Sequence, residues 1–246
     1  MISANIKDTL GNSYKINLIE NLSELPLSKK VAFDECREEA LLSIENLTLN
    51  NKELTYFLYH IARAVSEIVD VDLTDVLNFS SGITLDDSGE LNKDDLIYHM
   101  ENSDVDLESL EMTLMHIYNY LSNIIDNYTP EIVDNFMYKN ESIRVPKKLA
   151  TLVSGIDIFE PISTRTAIEI LQIRKALSDN VKPSANIRYT SVIKTIALLT
   201  RRVDEVTPLD DAEFNRHIDN KMRFFADINT KDAMDVSFFL IRTILI

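Results

Sequence analysis

The sequence predicts a mainly α-helical protein, a multi-helix bundle with one or two small β-hairpins. Three observations lead there. The 246 residues include only 4 glycines and 6 prolines, where average usage would give roughly seventeen glycines. Scarce glycine disfavours a barrel or sandwich full of tight hairpins. Apolar residues recur at three- and four-residue steps through most of the chain, the period of an amphipathic helix. Two alternating runs, each broken by turn-forming residues, supply the hairpins. A chain of this length buries an apolar core without disulfide or metal staples.

The first hairpin is expected from Ile6–Leu10 and Tyr14–Ile19 around Gly11-Asn12-Ser13. Leu22 to Val31 then reads as a capped helix entry, started by Ser28 or Pro26. That helix runs to about Glu45, with Val31, Ala32, Cys36, Ala40 and Leu41 at packing positions. A second helix begins at Asn51. Its stripe is Leu54, Phe57, Leu58, Ile61, Val65 and Ile68, with Tyr56, His60, Arg63 and Glu67 on the opposite face. A short helix follows over Leu73–Asn78. Ser80 to Asp95 is polar and turn-rich, with a small hairpin or wide loop at Ile83–Leu91. Asp94 or Asp95 starts a short helix toward His99.

The strongest helical pattern starts near Asp104 or Asp106. Leu107, Leu110, Leu114, Ile117, Leu121 and Ile124 form a heptad seam, too short for a coiled coil. Met115, Tyr118 and Ile125 widen the apolar face, which suits a globular bundle. A short helical turn is expected after Thr129-Pro130. A second hairpin spans Phe136 to Pro146, centred on Asn140-Glu141. Pro146 opens a short helix through Leu152, ended by Gly155. Four helical patterns fill the C-terminal third. Ile168, Leu171 and Ala176 mark the first, and Val192, Ile196, Leu199 and Val203 the second. Phe214, Ile218, Met222 and Phe225 mark the third, opened by Thr207-Pro208. Ala233, Val236, Phe239 and Leu240 mark the last, begun by Thr230 or Asp232. Short links between them imply antiparallel neighbours. We expect an acidic N-terminal region, 1–128, and a helical C-terminal region, 129–246, with a shared core left open.

Charge is the most uneven property of the chain. Between Val65 and Asp134 lie seventeen acids and one base, Lys93, a formal charge of −16 against −15 for the whole chain. From Glu141 onward, sixteen bases meet fourteen acids. Arg201-Arg202 and Lys147-Lys148 are isolated pairs, so no nucleic-acid stripe exists. Direct binding to nucleic acid would have to overcome the repulsive centre. An acidic protein that imitates DNA and occupies a DNA-binding enzyme is the alternative the charge allows.

Chemical motifs are weak. The single cysteine, Cys36, excludes an internal disulfide and any multi-cysteine metal site, and suits a reducing compartment. Its neighbours Glu35 and Glu38 disfavour a thiolate, so we read it as a small helical packing residue. His60, His99, His116 and His217 form no i, i+4 pair. His116 borders the apolar seam and is expected to be partly buried. A calcium loop aligned on Gly89 puts Thr84, Asp86 and Ser88 at its first, third and fifth positions and Asp95 at the twelfth. The absent first acid and shortened last one favour an acidic turn with a helix cap instead. No phosphate loop or nucleophile elbow occurs. No catalytic residue, metal ligand or cofactor is assigned.

Residues Met1 to Leu18 lack a basic start and apolar core, so no secretory leader is expected. Val236 to Ile246 is apolar but interrupted by Arg242, and a membrane span needs roughly twenty residues. We expect a buried terminal helix there, with docking into a partner as the alternative.

Three stretches resemble tail assembly proteins of tailed bacteriophages. Leu22-Ser-Glu-Leu-Pro-Leu-Ser-Lys-Lys-Val-Ala-Phe33 resembles their leucine-rich opening before a helix. Phe136 to Pro146 resembles a hairpin that many carry before a helix. Arg223 to Leu240 resembles their closing pair of helices. Together they cover 41 of the 246 residues, about a sixth of the chain, without the acidic region. The resemblance implies an all-helical accessory encoded near the tape-measure gene, which holds a long apolar protein soluble during tail or baseplate assembly. It implies no catalytic residues. The expected function is therefore a non-enzymatic viral structural or assembly protein in the host cytoplasm, with incorporation in the virion a further expectation. Its partners would be other viral structural proteins, not nucleic acid or membrane. Met112, Met115, Tyr118 and Tyr120 are core in the simpler reading and adaptable contacts in the other. A DNA mimic is the runner-up, and a hydrolase on a helical scaffold comes third.

Overall fold

The computed structural model describes residues 2–7, 12–42, 51–77, 92–101, 107–131, 133, 135–145, 185–203, 205–208 and 210–236. The fold class matches the prediction: mainly α, with two small antiparallel sheets. Among the described residues no helix is long and apolar enough to cross a membrane. The chain divides into two compact units. One contains Met1–Leu25 and Lys29–Tyr128, the other Pro26–Ser28 and Thr129–Ile246.

The first unit opens with a hairpin of β1 (Ile2–Lys7) and β2 (Ser13–Leu18). Its register pairs Ile2 with Leu18 and Lys7 with Ser13. Strand alternation sorts the side chains: Ile6, Ile16 and Leu18 are buried, while Ser3, Asn5, Lys7, Ser13, Lys15 and Asn17 are exposed. This is the pattern of a sheet with one face on the core. β1 starts four residues before the expected Ile6, because Ile2 and Ala4 extend the same face.

Helix α1 (Leu27–Leu42) buries Val31, Phe33, Cys36 and Ala40. Helix α2 (Asn51–Ile68) carries the predicted stripe, but its other face is only partly solvated. Thr55, Tyr59 and His60 are buried, and Tyr56, Arg63 and Glu67 are half-buried. The cause is its neighbours: α3 (Leu73–Val76), α4 (Lys93–Glu101) and α5 (Leu107–Asp126) all pack on it. Asp72 caps α3 through the amides of Thr74 and Asp75, and Asn92 caps α4 through those of Asp94 and Asp95. Short polar side chains in such positions satisfy orphan helix donors.

The α5 core positions are Leu110, Leu114, Ile117, Leu121 and Ile125. The seam thus ends on Ile125, where the heptad reading chose Ile124. A straight helix turns 3.6 residues at a time and drifts off a strict seven-residue repeat. Tyr118 stacks on Phe33 with centroids 5.9 Å apart, and the Tyr120 hydroxyl donates to the Ile19 carbonyl at 3.1 Å. Arg37 holds both carboxylate oxygens of Asp126 at 2.9 Å, joining α1 to the end of α5.

The second unit is built around β3 (Asn135–Tyr138), β4 (Glu141–Arg144) and β5 (Arg201–Arg202), in that order. The hairpin turn is Lys139-Asn140, one residue earlier than expected, with φ of 47° and 65°. Two left-handed residues make the turn whose twist matches its strands. Valine at Asn140 is expected to lower stability by about 1–2 kcal/mol, measurable by urea denaturation. Of the turn expected after Thr129-Pro130, Glu131 and Val133 are described and neither is helical. Instead the Glu131 N–H donates to Asp235 Oδ1 at 2.9 Å.

Helix α6 (Ala185–Leu199) ends before Val203, which the sequence pattern had placed on it. Thr200 Oγ1 donates back to the Ile196 carbonyl, and Arg201 Nη1 donates to the carbonyls of Leu198 and Thr200. These bonds close the helix end, and Val203 emerges 61 % exposed. Helix α7 (Asp211–Phe224) is capped by Asp210 rather than opened at Thr207-Pro208. Phe214 and Ile218 are buried, and Phe225 is buried just past its end. A closing helical segment over 230–236 buries Ala233 and Val236. Its first-turn amide at Asp232 is capped by Asn229. Pro26 bridges to Asn229, and the Leu27 N–H donates to the Ile228 carbonyl at 3.0 Å.

Several expectations lie outside the described residues. They are the loop at 83–91 with calcium positions Thr84, Asp86, Ser88 and Gly89, the helix after Pro146, the pattern at Ile168, Leu171 and Ala176, and residues 237–246.

Candidate functional site

One buried polar cluster, one half-buried polar cluster and two exposed side chains on α4 and α5 are candidates for function. In the first unit, Glu39 of α1 faces α2. Arg63 Nη1 donates to Glu39 Oε2 at 2.9 Å, and His60 Nδ1 lies 3.1 Å from the same oxygen, off the line of a hydrogen bond. The His60 ring, followed by Arg63, holds Glu39 below the ordinary carboxylate range against the opposing effect of burial. His60 is enclosed edge-on by Tyr56 and Tyr59, at 4.6 and 5.2 Å between centroids.

Cys36 is buried on the same side. Burial pushes its thiol up to about 11, with Glu39, Glu67 and Glu35 adding to the rise and Arg63 opposing it. A thiol so placed is protonated at neutral pH and makes a poor nucleophile. The cluster's geometry supports an internal strut between α1 and α2.

The second cluster lies in the connector between α6 and α7. Lys221 of α7 is 3 % exposed. Its ammonium donates to the Thr200 carbonyl at 2.7 Å and to Glu205 Oε1 at 2.8 Å. His217, one turn earlier, places Nε2 2.9 Å from the same Oε1. The Arg202 N–H donates to Glu205 Oε2 at 2.8 Å. Burial lowers Lys221 to about 8, although Glu205 opposes the fall; Arg201 and Arg202 add to it. Burial alone would raise Glu205, but Lys221, the Arg202 amide and His217 outweigh it and hold the carboxyl below its ordinary value. The Lys221 ammonium, both Glu205 carboxylate oxygens and the Thr200 carbonyl are engaged within the chain, so the cluster acts as a tie between chain segments.

The sequence pattern pointed past this lysine. Phe214, Ile218, Lys221 and Phe225 follow steps of four, three and four residues, so Lys221 lies on the apolar stripe where Met222 had been expected. A lysine in phase with buried neighbours is the signal that could have found it. The histidines separate fully: His60 and His217 join the two clusters, and His116 is exposed rather than partly buried. α5 turns it to the side away from Leu114 and Ile117. His99 lies on α4. Among the described residues no group of three or more His, Cys, Asp or Glu could hold a metal ion.

An aromatic group flanks the second cluster. Phe136, Tyr138, Phe224 and Phe225 pack with centroids 5.0 to 6.5 Å apart. Arg202 lies 4.8 Å from the Phe224 centroid while holding Glu141 through two bonds of 2.6 Å. Lys139 lies 5.3 Å from the Tyr138 centroid and donates to the Phe224 carbonyl at 3.0 Å.

The two exposed side chains lie on α4 and α5, within the acidic stretch. Tyr98 is 71 % exposed and Met112 64 %. Of the four side chains weighed as core or contacts, Tyr118 and Tyr120 pack internally, Met115 is half-buried and Met112 faces outward. No protein-family model matches the chain, and neither a curated protein nor a solved structure matches it.

Proposed function

We propose that the protein is a non-enzymatic structural or assembly protein of a tailed bacteriophage, acting by protein–protein contact. The observation that carries this reading is the outward placement of Tyr98 and Met112 on acidic helices. Aromatic and methionine side chains are characteristic of adaptable contact surfaces. The surrounding carboxylates keep such a surface soluble and select a partner of opposite charge. The two polar clusters support the same reading, because their charged groups are engaged in holding the chain. The phage assignment itself rests on the three resembling stretches and on the mainly helical fold. The partner would be a tail or baseplate protein.

Co-expression of the full chain with the tail and baseplate proteins of its own virus tests the reading. Co-elution with one of them is expected. Tyr98→Lys combined with Met112→Lys should weaken the complex at least about tenfold, with helix content unchanged by circular dichroism. Recovery of the protein alone, with no virion component bound, would reject the proposal.

A further inference from the structure

The connector between α6 and α7 is held to its unit in an unusual way. Its two valines, Val203 and Val206, face outward. Among its described residues Glu205 supplies a polar inward hold. That carboxylate reaches Lys221 and His217 on α7, and the Arg202 N–H on β5. The Glu205 N–H in turn donates to the Arg202 carbonyl at 3.2 Å. β5 is an edge strand, and Glu205 thus takes both backbone groups of its last residue. Open strand edges invite pairing with another chain, and covering them is a common protection.

We propose that this connector is a strap closing the free side of β5, with Glu205, gripped by Lys221 and His217, as its clasp. The proposal is independent of the phage reading. The charged groups facing the clasp are Lys221 and His217 from α7 and Arg201 and Arg202 from β5, with Glu141 of β4 neutralising Arg202. The carbonyl of Thr200 faces it from the end of α6.

The direction of the pH response follows from the two shifted groups. In a released strap, Lys221 is hydrated and keeps its ordinary value of 10.5; in the closed strap it sits at about 8. Between those values the released form binds more protons, so rising pH favours closure. Glu205 is held below its ordinary value when closed, so acid favours release. Both groups therefore close the strap as pH rises.

Amide hydrogen exchange on the full chain tests this, corrected for intrinsic exchange rates. Protection of a peptide covering 200–206 should rise roughly tenfold or more from pH 7 to 9.5, while α5 stays unchanged. Lys221→Met should flatten the profile. Lys221→Arg keeps the charge and does not titrate, so it too should give a flat profile, at low protection. A flat wild-type profile would overturn the proposal. So would an equal rise in α5, or a rise that persists in Lys221→Arg.

Discussion

Replacing Lys221 with methionine is expected to lower the unfolding free energy by about 3–5 kcal/mol. The loss comes less from the missing lysine than from what it leaves behind. Glu205 would remain buried without its ammonium, and the Thr200 carbonyl would lose its donor. Removing one partner of a buried pair exposes the full desolvation cost of the other. Adding Glu205→Gln should therefore recover part of the loss, and a double-mutant cycle in urea measures the coupling. The pH dependence supplies a separate check. Lys221 titrates lower when folded than when unfolded. The unfolded chain then binds more protons between about pH 8 and 10.5, and wild-type stability gains across that window. Lys221→Met loses this gain, so the difference between the two proteins should widen as pH rises. A difference that narrows, or stays constant, contradicts the buried pair.

Phe33→Ala should cost about 3–5 kcal/mol in the first unit. The ring is fully buried, stacks on Tyr118, and carries the Arg37 guanidinium 5.7 Å from its centroid. Its removal leaves a cavity between α1 and α5 and loosens the side chain that holds Asp126. Phe33→Leu keeps more of the volume and should cost less than the alanine. Leu41→Ala, on an exposed position of α1, should change stability by no more than about 0.5 kcal/mol. Urea denaturation of the three variants should rank them in that order. Equal losses at Phe33 and Leu41 would mean that α1 does not bury the face described.

The helices were legible because their apolar periodicity is local information. Asn51–Ile68 and the α5 stripe could be read directly from spacing, and so could both hairpins. The errors came where a distant partner decides. Nothing near His60 announces that Glu39 will meet it across two helices, so a polar face was expected to be solvated. Arg37 and Asp126 are far apart in sequence, and their pairing has no local trace. The short strand Arg201–Arg202 forms because β4 is there to receive it, not because two arginines favour a sheet. Lys221 was hidden by its residue type: lysine reads as surface unless its phase with Phe214, Ile218 and Phe225 is given more weight than its charge. His116 shows the converse error. Sequence proximity to leucines suggested burial, but helical rotation placed it outside.

The enclosure of α2 has a consequence for how the first unit comes apart. A helix whose described residues are all buried or half-buried against three neighbours cannot peel away while those neighbours stay native, because each would lose its own seat. Deuterium should therefore enter its central amides only through collapse of that entire unit, at a rate tracking total denaturant sensitivity rather than local fraying.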